Sequence, residues 1–406
     1  MPPEFHRIRR LPPYVFEVVN KVKAAARNQG MDIIDLGMGN PDLPAPAHVV
    51  EKMKDTLGKP HTDRYSASKG IMGLRRAQAA YYERRFGVKL NPDTQICATL
   101  GSKEGFANMA QAITGPGDLV LVPNPSYPIH AFGFLMAEGT ISAIPSEPGP
   151  SFFHALEKAV LHSTPKPIAL ITCFPSNPTA QVADLDFYRD VVKFAKTHDL
   201  IVLSDLAYSE VYFDDMPPPS ILQVPGAMDI AVEFTSMSKT FSMPGWRVGF
   251  AVGNERLIAA LVRVKSYLDY GAFTPVQVAA TAALNGPQGC IDEMRATYKR
   301  RRDALVESFG RAGWTIPAPR ASMFAWAPMP ERFKELGSVE FSKLLVEKAG
   351  VAVSPGVGFG EQGEGYVRLA LVENEQRIRQ AARQLRQFLD NADKILHNVI
   401  PLKALG

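Results

Sequence analysis

The stretch SMSKTFSMPGWRVGF, from Ser236 to Phe250, places one amine, Lys239, among hydroxyl-bearing and apolar residues, with the guanidinium of Arg247 close behind. An isolated lysine belongs at the surface, so a lysine inside a segment that otherwise reads as packed interior asks for a chemical reason. Other residues make the same demand. GSKEGFANMAQAI follows the apolar run QICATL, and there Gly101 and Ser102 lead into a helix whose first free amides, beside a hydroxyl, suit an anion. Asn177 lies between Ser176 and Pro178 in FPSNPTAQ, after PIALITC. Asp205 ends LIVLSD, with Tyr208 just beyond it. Taken singly, each has a plainer meaning: a helix cap, an Asn-Pro turn, a strand-end carboxylate.

The elements that must position these residues are legible as a pattern. QICATL, DLVLV, TISAI, PIALITC, LIVLSD, IAVEFTS and RVGFAV alternate with segments of helical spacing. In DLDFYRDVVKFAKTHD, for example, Leu185, Tyr188, Val191, Val192 and Ala195 recur at three to four residues. Such alternation predicts an α/β fold with a mostly parallel sheet wrapped by helices, and ligands of open α/β sheets sit beyond the carboxyl ends of the strands. That places the named residues on one face. Together they supply hydroxyls, amides and a cation for a phosphate (Ser102, Ser236, Ser238, Arg247), a carboxylate for a protonated ring nitrogen (Asp205), donors for a phenolate oxygen (Asn177, Tyr208) and an amine (Lys239). These are the binding requirements of pyridoxal phosphate, with the lysine as its Schiff-base partner.

NPSYP, SNPT, SDLAY, SMSK, GWRVGF and a late VRLA, in that order, resemble the class I/II aminotransferases of pyridoxal-phosphate fold type I, from IDLGMGNPD to ENEQRIRQAARQL. The phrases RLPPYVFEVV, NPSYPIHAFG and KSYLDYGAFTPVQVAA are most similar to the bacterial alanine, or glutamate-pyruvate, members. The resemblance implies a large domain around a seven-stranded sheet over residues 46–285, a smaller α+β domain over 286–406, and a segment 1–45 that joins the small domain and covers the site. It implies that Lys239 moves the proton between the substrate Cα and the cofactor's C4' carbon, that Asp205 keeps the pyridine nitrogen protonated, and that Asn177 and Tyr208 bond the ring oxygen. Tyr127 would stack on the ring, and Gly101, Ser102, Lys103, Ser236, Ser238 and Arg247 would hold the phosphate. The substrate's α-carboxylate would meet Arg368 in YVRLALVEN, the backbone at Gly39, and Asn177, with Tyr14 in the covering segment. Tyr65 in DRYSASKG would reach the phosphate of a neighbouring subunit, which implies a homodimer with shared sites.

The remaining composition narrows the classes. Lys plus Arg number 45 against 41 Asp plus Glu, a balance too even to predict nucleic acid as a partner. Cys97, Cys173 and Cys290 form no CxxC pair, and the histidines show no HExxH, so neither a disulfide framework nor a metal is expected. No secretory signal or spanning run is evident, so the expected partners are a small amino acid and a 2-oxo acid, with no membrane, in the cytoplasm. The run KRRRD, from Lys299 to Asp303, reads as a solvated helix face, and PGVGFGEQGEG as a flexible approach to the site. Alanine with 2-oxoglutarate is the expected substrate pair. An aspartate or LL-diaminopimelate aminotransferase, or a carbon-sulfur β-lyase, would need the same cradle. A regulatory module that binds the cofactor without catalysis is the remote alternative, set aside because the enzyme-like pattern begins within the first tens of residues.

Overall fold

The computed structural model describes residues 5–403. The domain expectations start at residue 1 and end at residue 406, so residues 1–4 and 404–406 lie outside the described residues. All seven apolar runs are strands: β1 (Ile96–Thr99), β2 (Leu119–Asn124), β3 (Thr140–Pro145), β4 (Pro167–Cys173), β5 (Ile201–Asp205), β6 (Ala231–Ser236) and β7 (Gly249–Gly253). They form one sheet in the order β1-β7-β6-β5-β4-β2-β3. Pairings are parallel except at β7, which runs against both of its neighbours.

Continuous apolar runs are what a sheet covered on both faces requires, and β6 is buried along its whole length. Alternate side chains divide between two cores, Leu121, Leu170, Val202 and Phe250 on one face, Val120, Ile171, Leu203 and Phe234 on the other. The helix Leu185–Thr197 covers one face through Phe187, Tyr188, Val191, Val192 and Ala195, with Leu185 half-buried at its first turn. Gly249 lets β7 enter: a Cβ there would stand 2.6 Å from the Ser102 amide nitrogen, so only glycine allows this strand to lie against the start of the helix Ser102–Ile113.

The C-terminal region carries a three-stranded antiparallel sheet of β8 (Phe324–Pro328), β9 (Ser354–Pro355) and β10 (Tyr366–Ala370), with β10 in the centre. The C-terminal apolar stripe, which by its spacing reads as one helix, is carried by two helices, Glu375–Asp390 and Ala392–Lys403, interrupted at Asn391. Ile378, Ala381, Leu385 and Phe388 are buried on the first, and Ala392 and Ile395 continue the apolar face on the second. The N-terminal helix Val15–Asn28 packs Val19 and Ala26 against Ile33, Val346 and Ala352, a small core of its own on the C-terminal region.

The glycine-rich loop has a defined shape, and the expectation for the basic run changes. PGVGFGEQGEG forms two 3-10 turns, Gly356–Phe359 and Glu361–Gly363. Phe16 rests on Gly358, where a Cβ would come within 2.9 Å of its ring, and Asn124 at the end of β2 accepts the Gln362 amide at 3.2 Å. In KRRRD, Arg300 is exposed and Lys299 half-buried, but Arg301 and Arg302 are buried at 5% and 7% exposure, each on a carboxylate. A buried guanidinium needs a partner, and the carboxylates come from elsewhere in the chain: Asp42 for Arg301 and Asp214 for Arg302.

Candidate active site

The carboxyl ends of the strands converge with β10 on one cleft, lined among others by Tyr14, Phe16, Gly39, Tyr127, Phe359 and Arg368. Lys239 lies in the short helix Met237–Thr240 that β6 runs into, capped by the Ser236 hydroxyl, which accepts the Ser238 amide at 3.2 Å. Its amine donates to the Gly39 carbonyl at 3.2 Å and stands 5.9 Å from the Tyr208 ring centre. Burial, together with the nearby charges of Arg368 and Arg247, pushes this amine down to about 8, against the opposing pull of Asp205. Asp205, the last residue of β5, is buried and accepts the Ala207 amide at 3.0 Å.

The expected anion site is assembled from two distant segments. Arg247, in a left-handed backbone at φ 57°, donates to the Leu100 carbonyl at 3.1 Å and covers Gly101 so closely that a Cβ there would lie 2.1 Å from its Nη2. Gly101 itself has φ 85°, and the helix Ser102–Ile113 opens directly behind it with no side chain capping its amides. Ser236 and Ser238 are buried beside this corner. Lys103 is exposed, its amine 5.7 Å from the Tyr127 ring centre. Free helix amides, a guanidinium, hydroxyls and a glycine with no room for a side chain fit a phosphate.

Arg368 points inward from β10. Its Nη1 donates to Asn177 Oδ1 at 2.8 Å and its Nη2 to the Gly37 carbonyl at 3.2 Å, while its guanidinium carbon lies 4.0 Å from the Phe324 ring centre and 4.7 Å from that of Phe359. Its Nε is buried without a partner, and burial holds the group down at about 10. Gly39 has no room for a side chain: a Cβ would stand 2.8 Å from Phe324 and 3.3 Å from Arg368 Nη2. Tyr208 and Tyr127 have their hydroxyls pushed up by burial, so both stay protonated. Tyr14 reaches the rim of the cleft, edge-on to Phe16 at 5.1 Å. Tyr65 stands apart, 86% exposed and against Tyr270.

Residues not singled out from the sequence complete the arrangement. His130, fully buried, places Nε2 2.9 Å from Asp205 Oδ2. It lies one helical turn after Tyr127 in NPSYPIHAFG, a spacing that signals a shared face. Cys173 adds a third potential ligand atom beside that pair, all within 4.8 Å of one another, but burial drives its thiol well above the ordinary value, and a protonated thiol is a poor metal ligand.

Residues 31–385 match the family model described as aminotransferase class I and II. The chain belongs to this aminotransferase family. The aminotransferase is 74% identical over 99% of both chains to a Rhizobium meliloti protein named "Putative aminotransferase AatC". It is 50% identical to the glutamate-pyruvate aminotransferase AlaC of Escherichia coli, over 97% of this chain and 95% of that one. The LL-diaminopimelate aminotransferase of Moorella thermoacetica is 42% identical over 96% and 99%. Among solved structures, substrate-bound BacF from Bacillus subtilis aligns with a TM-score of 0.88 at 34% identity, covering 96% and 98% of the two chains. Aminotransferases of this family are fold type I enzymes dependent on pyridoxal phosphate, and the fold seen here agrees. No helix among the described residues is long and apolar enough to cross a membrane.

The acidity of Lys239 gives a pH expectation for the apoenzyme. Its amine is neutral above about pH 8, so the rate of loading with pyridoxal phosphate should climb about tenfold per pH unit below that point and level off above it. Stopped-flow absorbance across pH 6 to 10 follows this directly, and a rise that continued to about pH 10, the ordinary lysine range, would remove the depressed amine from the account. Gly101→Ala is expected to weaken cofactor retention about tenfold or more, measured by dialysis and residual absorbance, because the added methyl occupies the place of Arg247 Nη2.

Proposed function

We propose that this aminotransferase moves the α-amino group of alanine to 2-oxoglutarate, giving pyruvate and glutamate, and that the same cleft serves the reverse half-reaction. When bound, pyridoxal phosphate supplies an aldehyde carbon for the amino group and a ring that accepts the electron pair released at Cα. In this reading Lys239 is the residue joined to the cofactor, and its amine, freed by substrate, carries the proton between Cα and C4'. The Asp205 carboxylate, oriented by His130 at 2.9 Å, faces the ring nitrogen and holds its proton. Asn177 and the protonated Tyr208 serve the ring oxygen, and Tyr127 covers the ring. Gly101, Ser102, Lys103, Ser236, Ser238 and Arg247 take the phosphate. Arg368 grips the α-carboxylate beside Asn177 and the Gly39 backbone, and Tyr14 closes the rim.

The observation that carries the reaction class is the meeting of Lys239, Asp205 and Arg368: the charges of Arg368 and Asp205 both act on the Lys239 amine, and Lys239 and Arg368 donate to two carbonyls of one short segment, Gly39 and Gly37. Support for alanine is the greater identity to the glutamate-pyruvate enzyme, 50% against 42% for the LL-diaminopimelate one. The cleft also extends past Met38 to Asn20 and Lys23, room that a longer amino acid would use, and this keeps LL-diaminopimelate as the second reading. A donor panel of alanine, glutamate, aspartate and LL-diaminopimelate with matched 2-oxo acids decides. Alanine with 2-oxoglutarate should show a kcat/KM about a hundredfold above aspartate, and a preference for LL-diaminopimelate would overturn the assignment.

For the assembly we propose a homodimer in which Tyr65 completes the phosphate site of the other subunit. Support comes from the exposed apolar side chains Tyr65, Tyr267, Leu268, Tyr270 and Phe273, of which Tyr65 and Tyr270 rest on each other, a kind of surface that a partner subunit covers. The division into a covering segment to residue 45, a large domain to 285 and a small domain beyond is part of the same proposal. So is the cytoplasm as its place of work.

A further inference from the structure

The segment Ile34 to Asp42 carries an acidic side chain near each end and glycines between, and it holds no expected catalytic group. Its carbonyls nevertheless meet both functional cations: Gly37 accepts from Arg368 Nη2 at 3.2 Å and Gly39 from Lys239 Nζ at 3.2 Å. The Ser354 hydroxyl also donates to the Gly37 carbonyl, at 2.7 Å, and the segment that carries both carbonyls is anchored at its two ends. Asp35 Oδ1 accepts the Gly37 and Met38 amides at 3.0 and 3.2 Å, while its Oδ2 accepts Lys23 Nζ at 2.8 Å. Lys23 comes from the N-terminal helix and is only 6% exposed. At the far end both oxygens of Asp42 take the fork of Arg301, each at 2.7 Å, and Arg301 Nη1 also donates to the Leu371 carbonyl at 3.0 Å, just beyond the strand that bears Arg368. The Ala370 amide donates to the Leu36 carbonyl at 2.7 Å between them.

We propose that Lys23 and Arg301 are positioning residues for the substrate-carboxylate site, acting through Asp35 and Asp42 to hold the Gly37 and Gly39 carbonyls where they aim Arg368 and Lys239. Neither touches the guanidinium or the amine. Arg301 does with a two-pronged contact what a single point charge would do loosely, since it ties the segment and the Arg368 strand to one rigid plane on the long helix Gly289–Arg311. Lys23 does the same from the helix that roofs the cleft, so the carboxylate site is built from three separate parts of the chain. A site held by such supports loses precision, and with it affinity, when a support is loosened.

The inference rests on Arg368 as the carboxylate holder, and its test separates the two claims. Propionate, the alanine skeleton without its amino group, is titrated calorimetrically into the pyridoxal-phosphate-loaded enzyme, with folding of each variant checked by its thermal transition and cofactor attachment by its absorbance band. Arg301→Lys and Lys23→Met should each raise the propionate Kd about tenfold, with the band retained, and Lys23→Arg should return it to within about twofold of the unaltered enzyme. Unchanged propionate affinity in either folded variant, while Arg368→Lys loses it, overturns the positioning role of the residue replaced and leaves the carboxylate reading standing. Unchanged affinity in Arg368→Lys overturns that reading instead. Should one variant not fold, the other still decides its own half of the clamp.

Discussion

Lys239→Ala should lose turnover by about 10^4-fold or more, because in the proposed reading this one substitution removes both the covalent attachment and the group that moves the proton. The other cations nearby are committed elsewhere: Lys103 is turned to the surface over Tyr127, Arg247 donates to the Leu100 carbonyl, and Arg368 donates to Asn177 and the Gly37 carbonyl. Alanine there also frees the Gly39 carbonyl and removes an amine from near Arg368. Binding of a substrate carboxylate should therefore survive while chemistry stops. The measurements are steady-state transamination with alanine and 2-oxoglutarate, and sodium borohydride treatment followed by mass spectrometry. The unaltered chain should gain the reduced cofactor at position 239 and the variant should gain none. Full activity in the variant, or label elsewhere in the unaltered chain, would refute the role given to this lysine.

Arg368→Lys keeps a positive charge and should still lower kcat/KM by about a hundredfold. The guanidinium carbon stands 4.0 and 4.7 Å from the ring centres of Phe324 and Phe359, contacts that a delocalised planar cation makes better than a compact ammonium. It spends Nη1 on Asn177 and Nη2 on the Gly37 carbonyl. A lysine ammonium reaching to the same place can serve Asn177 or a carboxylate from one point, so the two-pronged grip proposed to fix the Cα–H bond would be lost. The loss should fall mainly on KM if the substrate merely binds less tightly, and on kcat as well if its orientation also slips. A variant with both constants unchanged would dismiss the arginine from the site.

The sheet was legible because strands buried on both faces leave uninterrupted apolar runs, and all seven were readable from QICATL to RVGFAV. Residues at strand ends were legible for a related reason, since the fold sends ligands there. What escaped were contacts made by closure of the chain over long separations. The pairing of Arg301 with Asp42 spans 259 positions, and no local pattern distinguishes this arginine from its exposed neighbour Arg300. The break at Asn391 escaped because the apolar stripe continues across it, so periodicity alone cannot show where the helix is interrupted. His130 could have been found from its spacing to Tyr127, but only geometry joins it to Asp205.

The folded glycine loop joins distant parts of the chain at the cleft. Its first turn receives Phe16 from the N-terminal helix and its second receives Asn124 from the sheet, while the Ser126 amide donates to the Phe359 carbonyl at 2.8 Å. Because Phe359 is also a wall of the cleft, the contour of that wall is set jointly by the N-terminal helix and the sheet, and a change in either would be felt there.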